Sequence, residues 1–147
     1  MAKKQLIGTF VLALGLILPV YGKESIAGSV KIVQGGANII RNTETIQARE
    51  GMHLLVGDSL QTGGDGRLGF ILQDGTRVSI GANTRISIDQ FLYEPAQEQF
   101  GLVLKLTRGV MAYISGKIAQ FSPGSVHVET PVAVCGLRGT ELAVTIE

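Results

Sequence analysis

Residues 67–89 read RLGFILQDGTRVSIGANTRISID, a stretch with the periodicity of strands and not of a helix. Leu68, Phe70 and Leu72 stand at i, i+2 and i+4, which places them on one face of a strand. Asp74-Gly75 follows, a strong short hairpin signal, because glycine accepts the positive φ that tight turns need. Arg77-Val78-Ser79-Ile80 and Arg85-Ile86-Ser87-Ile88 then repeat one another eight residues apart. Each puts two apolar side chains on one face and two polar ones on the other. Residues 81–84 (GANT) turn the chain between them. Alternation with turns at regular spacing predicts an all-β fold.

The same pattern extends over most of the chain, punctuated by twenty glycines. Strands are expected at 29–33, at Ala37–Arg41, at 54–56 leading into Gly57-Asp58, and at Ser59–Thr62. Further strands are expected at 101–106, 109–114, 125–130 and 132–137, and Glu141–Ile146 would close the chain. Residues 63–66 (GGDG) read as a flexible loop. Residues 91–99, with Pro95, read as a surface loop. No amphipathic helix is expected outside the first residues. The expected architecture is short strands and tight turns in a small β-solenoid- or sandwich-like stack, preceded by an apolar signal helix.

That helix comes from the N-terminus. Lys3 and Lys4 precede residues 6–20, which carry no charge, and small residues stand at Val20 and Gly22. A basic start, an apolar middle and a small-residue cleavage site make a secretory leader, here residues 1–22. The run is shorter than the roughly 20 apolar residues of a spanning helix. An uncleaved anchor is the alternative, and would be the chain's only tie to a membrane. The expected mature domain, 23–147, carries 11 Lys+Arg against 12 Asp+Glu. Its basic residues are scattered, which argues against nucleic acid. The predicted location is periplasmic or secreted.

Few residues suggest chemistry. His53 and His127 have no second ligand at metal spacing. Residues 63–66 form a single copy of a glycine-aspartate motif that binds calcium only in tandem. No Gly-x-Ser-x-Gly elbow occurs. Asp58, Asp65 and Asp74 fall in turns, where aspartate is expected for its side-chain hydrogen bonding. Cys135, the only cysteine, has Val134 and Gly136 beside it and reads as a small buried residue. No catalytic residue, metal or cofactor is expected.

Taken in order, Gly57-Asp58, Thr62-Gly63, Asp74-Gly75, the strands around them, Thr130-Pro131 and Arg138-Gly139-Thr140-Glu141-Leu142 resemble the FecR domain. The likeness covers about residues 28–147. It marks Gly57, Asp58, Thr62, Asp74, Gly75, Thr130, Pro131, Arg138, Gly139 and Thr140 as signature residues, structural and not catalytic. Gly139 suits a sharp corner between strands, and Arg138 has the donors to bond carbonyls left open there.

The resemblance implies an extracytoplasmic, non-enzymatic β domain that binds another protein or an envelope component. The best known FecR proteins are single-span regulators linking a transporter to a sigma factor. Only a few residues precede the apolar run here, and the chain ends at Glu147 just after the Arg-Gly-Thr strand. The expectation is therefore a stand-alone exported FecR-domain protein or the start of a longer one. A membrane-anchored regulator of envelope or iron-uptake signalling is the first alternative. A small ligand- or glycan-binding periplasmic protein is the second, and eight Phe+Tyr without Trp argue against its sugar form. Edge strands and residues 91–99 are the expected contact surfaces. The oligomeric state and the partner's identity do not follow from the sequence.

Overall fold

The computed structural model describes residues 25–136 and 140–147. Twelve strands lie within them: β1 (Ile26–Gln34), β2 (Ala37–Arg41), β3 (Glu44–Gln47), β4 (His53–Leu55), β5 (Ser59–Thr62), β6 (Arg67–Leu72), β7 (Arg77–Ile80), β8 (Arg85–Glu94), β9 (Gln99–Ile114), β10 (Val126–Glu129), β11 (Val134–Gly136) and β12 (Glu141–Ile146). The all-β expectation holds. The strands form one strongly curled sheet in the order β3-β2-β5-β8-β9-β7-β6-β1-β4. β10 lies parallel to β9 and carries β11, and β12 pairs antiparallel with β9.

β9 is the spine. Residues up to Arg108 pair with β8, and Val126–Glu129 runs along its other side. From Gly109 onward its neighbours are β7 and β12. Its inward residues change phase at the crossing. Leu102, Leu104 and Leu106 are buried before it, and Met111 and Tyr113 after it. Thr107 has no partner across from β8, where Arg85 faces Arg108 and Ile86 faces Leu106. That extra residue and the positive φ of Gly109 (99°) bend one strand through both halves of the sheet. The two strands expected at 101–106 and 109–114 are one continuous strand.

The predicted apolar faces turn inward. Leu68, Phe70, Leu72, Val78, Ile80, Ile86, Ile88, Val126 and Val128 join the β9 residues in one core. Each fully buried aliphatic or aromatic side chain contributes about 1.5–3 kcal/mol. Leu142, Val144 and Ile146 of β12 pack half-buried against the same core.

Four further expectations are corrected. Residues 91–99 are not a loop: Phe91 to Glu94 extend β8, and Pro95–Gln97 make one 3-10 turn into β9. A register shift between Ile88 and Gln90 breaks the period-2 pattern there and turns Phe91 inward. Residues 125–137 are not two successive strands running past Pro131 but a hairpin, β10–β11. Lys117–Phe121 forms a one-turn helix, α1, too short to show a period. Cys135 is half-buried and lies opposite Val128 on β11, not enclosed in the core. β3 has no counterpart in the sequence reading; Asn42 and Thr43, both at positive φ (48° and 70°), make the tight β2–β3 turn without a glycine.

No helix among the described residues is long and apolar enough to cross a membrane. The proposed leader, and Arg138 and Gly139, lie outside the described residues.

Candidate functional site

Two buried aspartates organise the turns that the sequence singles out. Asp58 is 1% exposed. It accepts Arg41 Nε at 2.9 Å, Arg41 Nη2 at 2.7 Å and the Leu55 backbone N–H at 2.8 Å. Arg41 Nη2 also donates to the His53 carbonyl at 3.0 Å. Gly57, at φ 94°, donates its N–H to Ile88 O at 2.7 Å. The Gly57-Asp58 turn thus ties β2, β4 and β8 together.

Asp74 accepts the Thr76 N–H at 3.0 Å, the Thr76 hydroxyl at 2.8 Å and the Ile118 N–H at 3.2 Å. Its own carbonyl accepts the Lys117 N–H at 2.8 Å. Gly75 sits at φ 87° and carries the hairpin turn as expected. The turn therefore does a second job invisible in the sequence, anchoring the start of α1.

Thr62 Oγ1 donates to Gly81 O at 2.6 Å and accepts the Thr84 N–H at 3.0 Å. Thr84 Oγ1 in turn accepts the Val110 N–H at 3.0 Å. Thr130 closes the β10–β11 turn: its N–H reaches Ala133 O at 2.8 Å, and its hydroxyl accepts the Ala133 N–H at 3.1 Å. Pro131 is exposed within that turn. The Thr140 carbonyl accepts the Ser115 N–H at 2.8 Å. The described signature residues are thus dispersed over separate turns and converge on no common cavity.

A different set of residues does converge. Tyr93 at the end of β8, Phe100 at the start of β9 and Phe121 at the end of α1 form an aromatic row. The Phe100 and Phe121 rings stack at 5.6 Å and 22°, and Tyr93 lies 6.2 Å from Phe100 at 43°. Phe121 is 60% exposed. With Pro95, Glu98 and Ser122 the two phenylalanines line a groove of about 560 Å³. That exceeds the concavities of about 270 Å³ beside β1 and about 320 Å³ between β9 and β12. Glu98 follows the 3-10 turn at φ 54°, with its N–H bonded to Pro95 O at 3.2 Å. The sequence reading points to residues 91–99 but misses Phe100 and Phe121.

The chain matches the FecR protein family over residues 58–147. It belongs to that family. No curated protein and no solved structure matches it. FecR domains are non-catalytic and regulatory, associated with iron signalling and sigma-factor control. The FecR match runs from Asp58 of the first turn to the end of β12, and so includes the whole groove. No group of three or more His, Cys, Asp or Glu side chains in this FecR chain is arranged to hold a metal ion, among the described residues.

One buried group of the FecR domain stands apart. Burial pushes the Tyr113 phenol from 10.0 up to about 12, and the Asp74 carboxylate adds to the rise. Thr76 works the other way, but its hydroxyl is donated to Asp74 Oδ2. Among the described residues the Tyr113 hydroxyl has no hydrogen-bond partner. Its contribution is fully present below pH 10. Between pH 10 and about 12 the unfolded chain holds fewer protons than the folded one, so stability falls as pH rises. The expected loss is about 2 kcal/mol. In Tyr113→Phe it should vanish, with stability at pH 8 equal to wild type or higher by about 1 kcal/mol. Denaturant titrations of both proteins at pH 8 and pH 11.5 check this.

Proposed function

We propose that this chain is an exported, non-catalytic FecR-type module that binds a partner protein of the cell envelope at the groove between the β8–β9 hairpin and α1. In this reading residues 1–22 are a cleaved leader, and residues 23–147 fold outside the cytoplasm. The observation that carries the binding role is Phe121. It stacks on Phe100 yet leaves 60% of its surface in water, at the rim of a groove that also offers Pro95, Glu98 and Ser122. A large aromatic fixed by a neighbouring ring loses little freedom when a partner covers it, which is why such anchors dominate protein interfaces.

The test joins two measurements. Tagged protein is crosslinked in intact cells and recovered from the envelope, as wild type and as Phe121→Ala. Because Phe121 is 60% exposed and stacked on Phe100, the variant should lose about 1–2 kcal/mol of stability and stay folded. A specific crosslinked partner should be recovered at least about tenfold less, the effect of losing an interface anchor. Equal recovery by the two proteins would refute the groove as the contact. The N-terminus of the recovered chain should be residue 23. A chain still beginning at residue 1 or 2 would replace the exported form by the membrane-anchored regulator.

A further inference from the structure

We infer that the groove is built for an arginine side chain presented by the partner, an assignment that rests on the binding role proposed above. Three observations carry it. Among the described residues, the groove's lining combines two stacked aromatic rings with one carboxylate, Glu98, and no cationic side chain. The hairpin around it has a one-sided charge: between Arg85 and Lys105 lie Asp89, Glu94 and Glu98, with no lysine or arginine. The remaining lining groups, Pro95 and Ser122, add an apolar wall and a neutral hydroxyl.

A planar guanidinium satisfies this set better than other side chains do. It stacks on an aromatic face, where the ring quadrupole attracts the cation. It is weakly hydrated, so covering it against Phe100 and Phe121 costs less than covering an ammonium. Its fork of donors matches the two oxygens of a carboxylate such as Glu98. A lysine supplies the charge without the plane or the fork, and an acidic or neutral polar side chain supplies none of these. Lys117, the cation nearest to Phe121 in sequence, starts α1 four residues earlier and does not line the groove.

The position of Glu98 fits a binding role better than a structural one. It occupies the left-handed region at φ 54°, where glycine or asparagine is the more comfortable residue. Its exposed side chain makes no hydrogen bond or ion pair to another described residue. Glu98→Gly should therefore fold as well as wild type while losing the site's charge.

The experiment is an NMR titration of the full chain with N-acetyl-arginine methylamide. The same titration with N-acetyl-citrulline methylamide, which keeps the planar head and loses the charge, is the control. The arginine probe should shift resonances of Glu98, Phe100, Phe121 and Ser122, and bind at least about fivefold more tightly than the citrulline probe. Both Phe121→Ala and Glu98→Gln should weaken it. Equal affinity for the two probes, no binding of the arginine probe, or shifts spread away from these residues would overturn the assignment. If Phe121→Ala also abolishes recovery of the envelope partner, the groove remains the contact and only the arginine assignment falls. If partner recovery survives Phe121→Ala, the groove reading falls with it.

Discussion

Gly109→Ala is expected to destabilise the domain by about 3 kcal/mol or more, a large part of the total of about 5–15 kcal/mol typical of a single domain. Gly109 lies where β9 crosses between the two halves of the sheet, at φ 99°, a conformation that L side chains rarely adopt. A methyl group there would also overlap Thr84 Oγ1 and its Cα and Cβ. Thr84 cannot retreat cheaply. It is fully buried, its hydroxyl accepts the Val110 N–H and donates to Ala82 O at 3.1 Å, and its N–H binds Thr62 Oγ1. Moving Thr84 would open the contact between the 81–84 turn and the spine strand. Backbone strain and overpacking thus add at one position. Denaturant unfolding should show a lower midpoint, whereas alanine at the exposed Gly124, with nothing within 4 Å of its added methyl and no positive φ, should leave the midpoint near that of wild type.

Asp58→Ala is expected to cost about 3 kcal/mol. The carboxylate is almost fully buried and receives two Arg41 donors at 2.9 and 2.7 Å. Truncating it removes the Asp58 carboxylate from the half-buried guanidinium and leaves the Leu55 N–H without its acceptor. Arg41→Ala should be similarly costly, because it leaves a buried negative charge held only by Leu55. The double variant should then be less destabilised than the two single losses combined, by about 1–3 kcal/mol, since one network is broken only once. Full additivity in a denaturant-based mutant cycle would show that the pair contributes as two independent residues. Neither change touches the groove, so the folded fraction of either protein should bind partner as wild type does.

These two predictions also mark how far the sequence could be read. Ser59–Thr62, Arg77–Ile80 and Glu141–Ile146 alternate in burial along the strand, so period 2 alone reveals their inward faces. Asp74-Gly75 reads as a turn because its chemistry is local. What escapes the sequence depends on distant partners. The β2–β3 hairpin turns on Asn42-Thr43 without the glycine that would announce it. β9 looks like two strands because Gly109 interrupts its pattern, although the chain runs on. The β10–β11 turn is closed by Thr130, whose bonds to Ala133 Pro131 does not reveal. The aromatic row assembles Tyr93, Phe100 and Phe121 from three elements with no common period, so only its first third falls inside the segment that the sequence marks as a contact surface. The FecR signature, by contrast, is readable at Gly57 and Gly75, which sit at positive φ, and at Asp74, which bonds Thr76 two residues on. For the same reason it reports on folding and says little about the partner.

Under the proposed function, the described signature turns hold the fold and the groove meets the partner. The most direct test places a photo-crosslinking amino acid at Gln97, beside the groove, or at Asn42, in the β2–β3 turn next to Arg41. Both positions are exposed; Asn42 sits at φ 48°, where a larger side chain costs about 1–2 kcal/mol, so the unfolding midpoint of each labelled protein is measured before irradiation. Irradiation in intact cells should give a discrete crosslinked product from Gln97, reduced by Phe121→Ala, and none from Asn42. A product from Asn42 with none from Gln97 would contradict the account.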